Sequence, residues 1–195
     1  TMDNGKGGCN DNLLYGNDFS HAPTNGIEAT FSRNFFINNL LLENWHGIWG
    51  GFSYNSEAIA NIFAYNGQAI AWEHGQDNEV TANMFYRDNE AIALWMNLKL
   101  DQNWGYPKFR DTSSKNWTIR DNEFSNTTTN AINLRDTKNV ILARNTFSSI
   151  GKILQQAGSN PDLEFRGNLV WAQKEEKYPG TDNSYEFKPE HKPEA

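Results

Sequence analysis

A chain of 195 residues can form one medium domain, but with 37% hydrophobic residues and a mean hydropathy of −0.75 its core must be narrow. The net charge of −7 argues against a nucleic-acid partner, and no stretch approaches the roughly 20 apolar residues of a membrane-spanning helix. A single cysteine, Cys9, excludes an intrachain disulfide framework and a zinc cluster, and nothing in the composition calls for a metal or a cofactor. Aromatic residues reach 13%, seven of them Trp, among many Asn; stacking rings and neutral amides are the groups that sugar-binding surfaces use.

The chain opens abruptly at "TMDNGKGGCN", which reads as a mature or trimmed product of a secreted, periplasmic or cell-surface protein. From "NLLYG" onward an Asn is followed two residues later by an apolar side chain, at Asn17, Asn38, Asn61, Asn83, Asn122, Asn145 and Asn168. The spacing is 21 to 23 residues, with one jump of 39. In phase with it runs a second series, "GIEAT" at Gly26, "GIWGG" at Gly47, "AIAWE" at Ala69, "AIALW" at Ala91, "AINLR" at Ala131 and "KILQQ" at Lys152. Both series jump between Trp95 and Asn116, so about 17 residues are inserted there.

Short β-type runs with a period near 22, no amphipathic helical stretch and no L-x-x-L-x-L spacing predict a right-handed parallel β-helix of about seven turns over residues 1–173. The polar tail, 174–195, is expected to pack poorly or to lie along the outside. The recurrent Asn is expected to adopt the left-handed conformation at a tight corner, with its amide bonding the Asn of the next turn about 4.8 Å away. Phe19, Phe63, Phe85, Phe124 and Phe147 should stack inside.

The N-x-F corner followed by G-I or A-I strands, from about Asn12 to Val170, resembles the β-helix repeats of carbohydrate-binding proteins and sugar hydrolases, and pectate-lyase-like chains in general. "EHGQDNEVTANMF" is also similar to a stretch of the β-helical chondroitinase B and alginate lyase family. There, an Arg before His-Gly is the catalytic acid and a Lys one turn earlier the base. Here Glu73 holds the Arg position and "GGFS" supplies no Lys, so the resemblance implies only that this surface is where the scaffold places active sites.

If the repeated Ile points inward, the residues one and three places later point outward. The first outward column then reads Glu28, Trp49, Ala71, Ala93, Asn133, Leu154, and the second Thr30, Gly51, Glu73, Trp95, Arg135, Gln156. Trp72 and Gln155 fall inward, Trp72 filling the space left by Gly50. A small floor between aromatic and charged walls is a groove, and the insertion, with Trp104 and Tyr106, is placed to fold over its end.

Glu28 and Glu73 lie two turns apart, about 10 Å along the axis, close to the ~6.5–9.5 Å separation of an inverting glycosidase pair. His46 and His74 flank their strands as supporting groups, too far apart to share a metal ion. The expected function is therefore binding, and in the simplest form hydrolysis, of a polysaccharide or oligosaccharide. Glu28, Glu73, His46 and His74 are the catalytic candidates, and Trp49, Trp95, Asn133, Arg135, Trp104 and Tyr106 hold the ligand. The alternatives are a lyase or epimerase in which Arg135 binds a uronate, and a non-catalytic binding or assembly module that adjoins further segments of a longer polypeptide.

Overall fold

The computed structural model describes residues 8–171 and the strand Tyr185–Glu186; the expected tail otherwise lies outside the described residues. The chain winds as a right-handed parallel β-helix of about seven turns. Three sheets run along it, and every strand pairs in parallel with its counterpart one turn on. One sheet runs from Asn12–Tyr15 through Asn34–Ile37 and Ser114–Arg120 to Leu163–Arg166, and the next from Leu40–Leu42 through Met84–Tyr86 to Leu169–Trp171 and Tyr185–Glu186. The third carries the candidate site: Asn25–Glu28, His46–Trp49, Gln68–Glu73, Glu90–Trp95, Asn130–Arg135 and Lys152–Ala157.

The core is a set of columns. Phe63, Phe85, Phe124 and Phe147 are fully buried and stack face to face, with centroids 4.9, 4.7 and 4.9 Å apart, one ring per turn. Phe19 packs against the column while only partly buried. Each buried ring contributes about 2–3 kcal/mol of apolar transfer. Beside them Ile48, Ile70, Ile92 and Ile132 form a second column at 0% exposure. Trp72 fills the volume left by Gly50: a Cβ built on Gly50 would sit 0.8 Å from the Trp72 Nε1.

An amide ladder closes one corner. Asn39, Asn61, Asn83, Asn122, Asn145 and Asn168 are buried, and each accepts from the backbone N–H and side-chain Nδ2 of the Asn one turn before it. The ladder member in the second turn is Asn39, not Asn38, which is exposed. Nor is the ladder Asn the left-handed residue. That conformation belongs to the residue before it: Asn38 (φ 55°), Ala60 (54°), Ala82 (56°), Asp121 (58°), Arg144 (53°) and Gly167 (60°). The bend at that exposed position turns the next side chain inward, where its amide meets its neighbours, and so offsets the cost of about 1–2 kcal/mol for a non-glycine residue there.

The outward columns stand as expected through five turns and slip in the sixth. Ile132 pairs with Leu154 and Asn133 with Gln155, so Leu154 is in the core and Gln155 faces out, the reverse of the assignment by alternation. The cause is a break in alternation at the start of each strand. The residue before the Ile (Ala69, Ala91, Ala131 or Ile153) is buried alongside it, and the polar residue one further back faces outward. "KIL" therefore has two inward apolar residues, and alternation alone selects the first.

Candidate functional site

Three outward columns cover the third sheet. The middle one reads Glu28, Trp49, Ala71, Ala93, Asn133, Gln155, and beyond it run Glu73, Trp95, Arg135 and Ala157. A column that alternation did not reveal reads Asn25, His46, Gln68, Glu90, Asn130, Lys152. Its signal was present in the sequence: a polar residue recurs two places before every repeated Ile except the one at Lys152, where it stands two before Leu154.

Trp49 and Trp95 lean together across the turn between them, centroids 5.6 Å apart at 58°. Ala71, in that turn and on the outward column, is at 0% exposure. The groove is therefore closed by its own indoles at Ala71 and open beyond it. There it widens into a cavity of about 520 Å³ lined by His46, Trp49, Gln68, Ala93, Leu94, Trp95, Asn133, Arg135, Gln155 and Ala157. None of these lining residues is a carboxylate. Arg135 is exposed and has no ion-pair partner among the described residues.

Glu90 organises the cavity from below. It is 6% exposed; its Oε2 accepts from Gln68 Nε2 at 2.6 Å, and its Oε1 from Asn130 Nδ2 at 3.0 Å and Asn133 Nδ2 at 2.8 Å. Three amides satisfy one buried carboxylate and are fixed by it, which leaves the Asn133 carbonyl oxygen as an oriented acceptor at the cavity wall. The same network reaches His46, whose Nδ1 lies 2.8 Å from Asn25 Oδ1. Burial holds the His46 imidazole below its ordinary value, opposed by its hydrogen bond to Gln68, so at neutral pH the ring is uncharged.

The remaining candidates are placed elsewhere. Glu28 is exposed, takes a hydrogen bond from Asn25 Nδ2 at 3.0 Å and borders a separate cavity of about 260 Å³ at the first turns, with Leu14, Ile27 and Phe36. Glu73 lines neither cavity; its carboxylate is 3.9 Å from His74 Nε2. His74 is 1% exposed: its Nδ1 donates to the Thr112 carbonyl and its Nε2 accepts from the Asn97 backbone N–H at 3.2 Å. Those bonds fix one neutral tautomer, and burial lowers its pKa against the opposing Thr112 hydrogen bond and Glu73 charge. The insertion, with its short helix Gly105–Phe109, does not line the larger cavity. Trp104 and Tyr106 pack on the stacked Phe31–Phe52 pair instead, and Tyr106 Oη donates to the Phe52 carbonyl at 3.1 Å. Phe52 in turn stacks on His74 at 4.5 Å. The insertion thus covers the corner beyond the sheet, with an aromatic cluster of its own.

Residues 6–104, just over half of the chain and including the first four strands of this sheet, match the family model described as periplasmic copper-binding protein (NosD). The chain belongs to the NosD family. No curated protein and no solved structure matches it. The family's periplasmic description agrees with the secreted or periplasmic location expected from the sequence.

The described residues of this NosD-family chain do not fit a copper ion. No three His, Cys, Asp or Glu side chains come together in a group that could hold a metal. His74 has both ring nitrogens engaged, His46 is bonded to Asn25 and Gln68, and His21 stands exposed beside Glu43 at 3.4 Å. Copper sites draw on convergent imidazole or sulfur donors, and these are dispersed.

Proposed function

We propose that this periplasmic β-helix binds a glycan without cleaving it, at the cavity bounded by Trp49, Trp95 and Arg135. The observation that carries the reading is the make-up of that cavity: a fixed pair of indoles, a wall of oriented amides and a guanidinium with no ion-pair partner, and no carboxylate facing in, among the described residues. Indole faces take the apolar face of a sugar ring, and amides take its hydroxyls. In a chain of net charge −7, a lone cation at the cavity rim favours a saccharide bearing a carboxylate, which a guanidinium can hold by two parallel hydrogen bonds.

Hydrolysis requires two carboxyl groups across one scissile bond. Glu28 and Glu73 share neither of the two cavities described above, and the acid beneath the site, Glu90, is saturated by three amides. The test is titration calorimetry against acidic and neutral polysaccharides, with parallel assays for new reducing ends and unsaturated products. Binding of an acidic glycan without either product is expected. Cleavage of any glycan would overturn the non-catalytic reading, and absence of binding would overturn the glycan reading.

A further inference from the structure

Outside the cavity, directly before the strand His46–Trp49, stands Trp45, 64% exposed. Its backbone is pinned, since its carbonyl accepts the Gln68 N–H at 2.8 Å. Its indole lies over Gly67: a Cβ there would come within 3.4 Å of the Trp45 Cε3 and 2.8 Å of its carbonyl oxygen. Glycine is needed there because a Cβ would clash with the Trp45 carbonyl; the ring itself sits at ordinary contact distance over Gly67. A single exposed aromatic residue is unremarkable on a surface. This one, however, is in line with the site. Trp45 meets the His46 ring edge-on at 5.8 Å, His46 meets Trp49 at 5.0 Å, and Trp49 meets Trp95 at 5.6 Å.

We propose that Trp45 is an outer aromatic platform of the same site, and that the ligand is therefore a chain of several sugar rings rather than a mono- or disaccharide. The inference rests on the glycan reading above. Trp45 precedes the start of its strand and Arg135 ends its own, three strand spacings or about 14 Å further along the axis, so no single ring touches both. An extended chain lying obliquely across the sheet meets Trp45 at one end and the cavity, with Arg135, at the other. The line of rings between them offers it a stacking surface, and the polar column from Gln68 to Asn130, with Asn133 beside it, offers hydroxyl partners alongside.

The experiment compares dimers and hexamers of galacturonate by titration calorimetry on the full chain, its Trp45→Ala and Trp45→Phe variants, and Trp49→Ala as a cavity control. Circular dichroism confirms folding of each variant. The wild type is expected to bind the hexamer more tightly than the dimer. Trp45→Ala should weaken the hexamer about tenfold, roughly the worth of one aromatic stacking contact, with the dimer unchanged; Trp45→Phe should recover most of the loss, and Trp49→Ala should weaken both. Equal wild-type affinity for the two lengths overturns the extended-chain inference and leaves the cavity standing. So does a Trp45→Ala variant that binds the hexamer normally or loses both lengths alike. If neither length binds to the wild type, the glycan reading falls and this inference with it.

Discussion

Asp88 follows Asn44 and Asn66 in a second polar ladder, whose next member is Thr127. Asn44 accepts from the Ala22 N–H, Asn66 from the Asn44 N–H, and Asp88 Oδ1 from both the backbone and the side chain of Asn66 at 2.9 and 2.8 Å. In this ladder Asn66 Nδ2 also donates to the Leu41 carbonyl, 25 residues earlier, at 2.9 Å. Asp88 has an oxygen, Oδ2, where Asn66 has that donor; it is buried and without a hydrogen-bond partner. The equivalent carbonyl, 25 residues before Asp88, belongs to Phe63. A protonated carboxyl donates there as an amide would, and an ionised one cannot. Burial accordingly raises the Asp88 pKa from 3.8 to about 7, against the opposing hydrogen bonds from Asn66 and Tyr86. Because the folded-state value lies above the unfolded one, this residue's contribution to stability is complete below about pH 4. It declines as pH rises through the window between the two values and is gone above about pH 7, at ~1.4 kcal/mol per unit or about 4 kcal/mol in all. Asp88→Asn restores the donor and removes the proton linkage. Urea midpoints of wild type and variant should coincide at pH 4, and by pH 8 the variant should be more stable by up to about 4 kcal/mol. Parallel pH profiles for the two proteins would refute the argument, since every other titrating group is common to both.

Three further expectations follow from the packing. Gly50→Ala places a methyl group inside the Trp72 indole, whose ring is at 0% exposure, and should lower stability by at least about 3 kcal/mol in thermal melts; a Trp72→Leu change in the same chain should relieve much of it. Asn83→Leu removes hydrogen bonds to Asn61, Asn122 and the Ala58 carbonyl and should cost about 3–5 kcal/mol, at ~1–3 kcal/mol for each buried group left unpaired, whereas Asn38→Gly should change the urea midpoint little or raise it. Glu90→Leu strips three amides of their acceptor and should weaken glycan binding about tenfold by freeing Asn133, while Glu90→Gln, which keeps an acceptor oxygen, should retain more of it; equal affinities of the two variants would argue against Glu90 as the group that orients Asn133.

The period, the fold and the position of the insertion were legible because a solenoid is close to one-dimensional: each turn contacts its neighbours, so a corner Asn and a core Phe recurring every 22 residues specify the stack. Register was legible wherever one large apolar residue marked the inward face, and failed at Ile153–Leu154, where two adjacent apolar side chains both point in. For the candidate site, what was legible column by column is the outward placement of its side chains. Trp49, Trp95, Asn133 and Arg135 stand on the outward face and line one cavity.

What could not be read is how side chains of different columns lean on one another, because that depends on rotamers and on the size of whatever lies between. Glu28 and Glu73 are two turns apart on paper, but they belong to different columns and lie on either side of Trp49, whose indole closes on Trp95 instead of leaving a floor between the acids. Asp88 and Glu90 make the same point within three residues. Both are buried acids in one polar stretch, yet one faces into the solenoid wall, where a neutral ladder requires a proton donor, and the other faces the open sheet, where three amides supply the donors. The corner between them decides which acid is held protonated and which anchors a binding surface, and a corner of this kind is set by the stack of turns on either side, not by the residues at the corner alone.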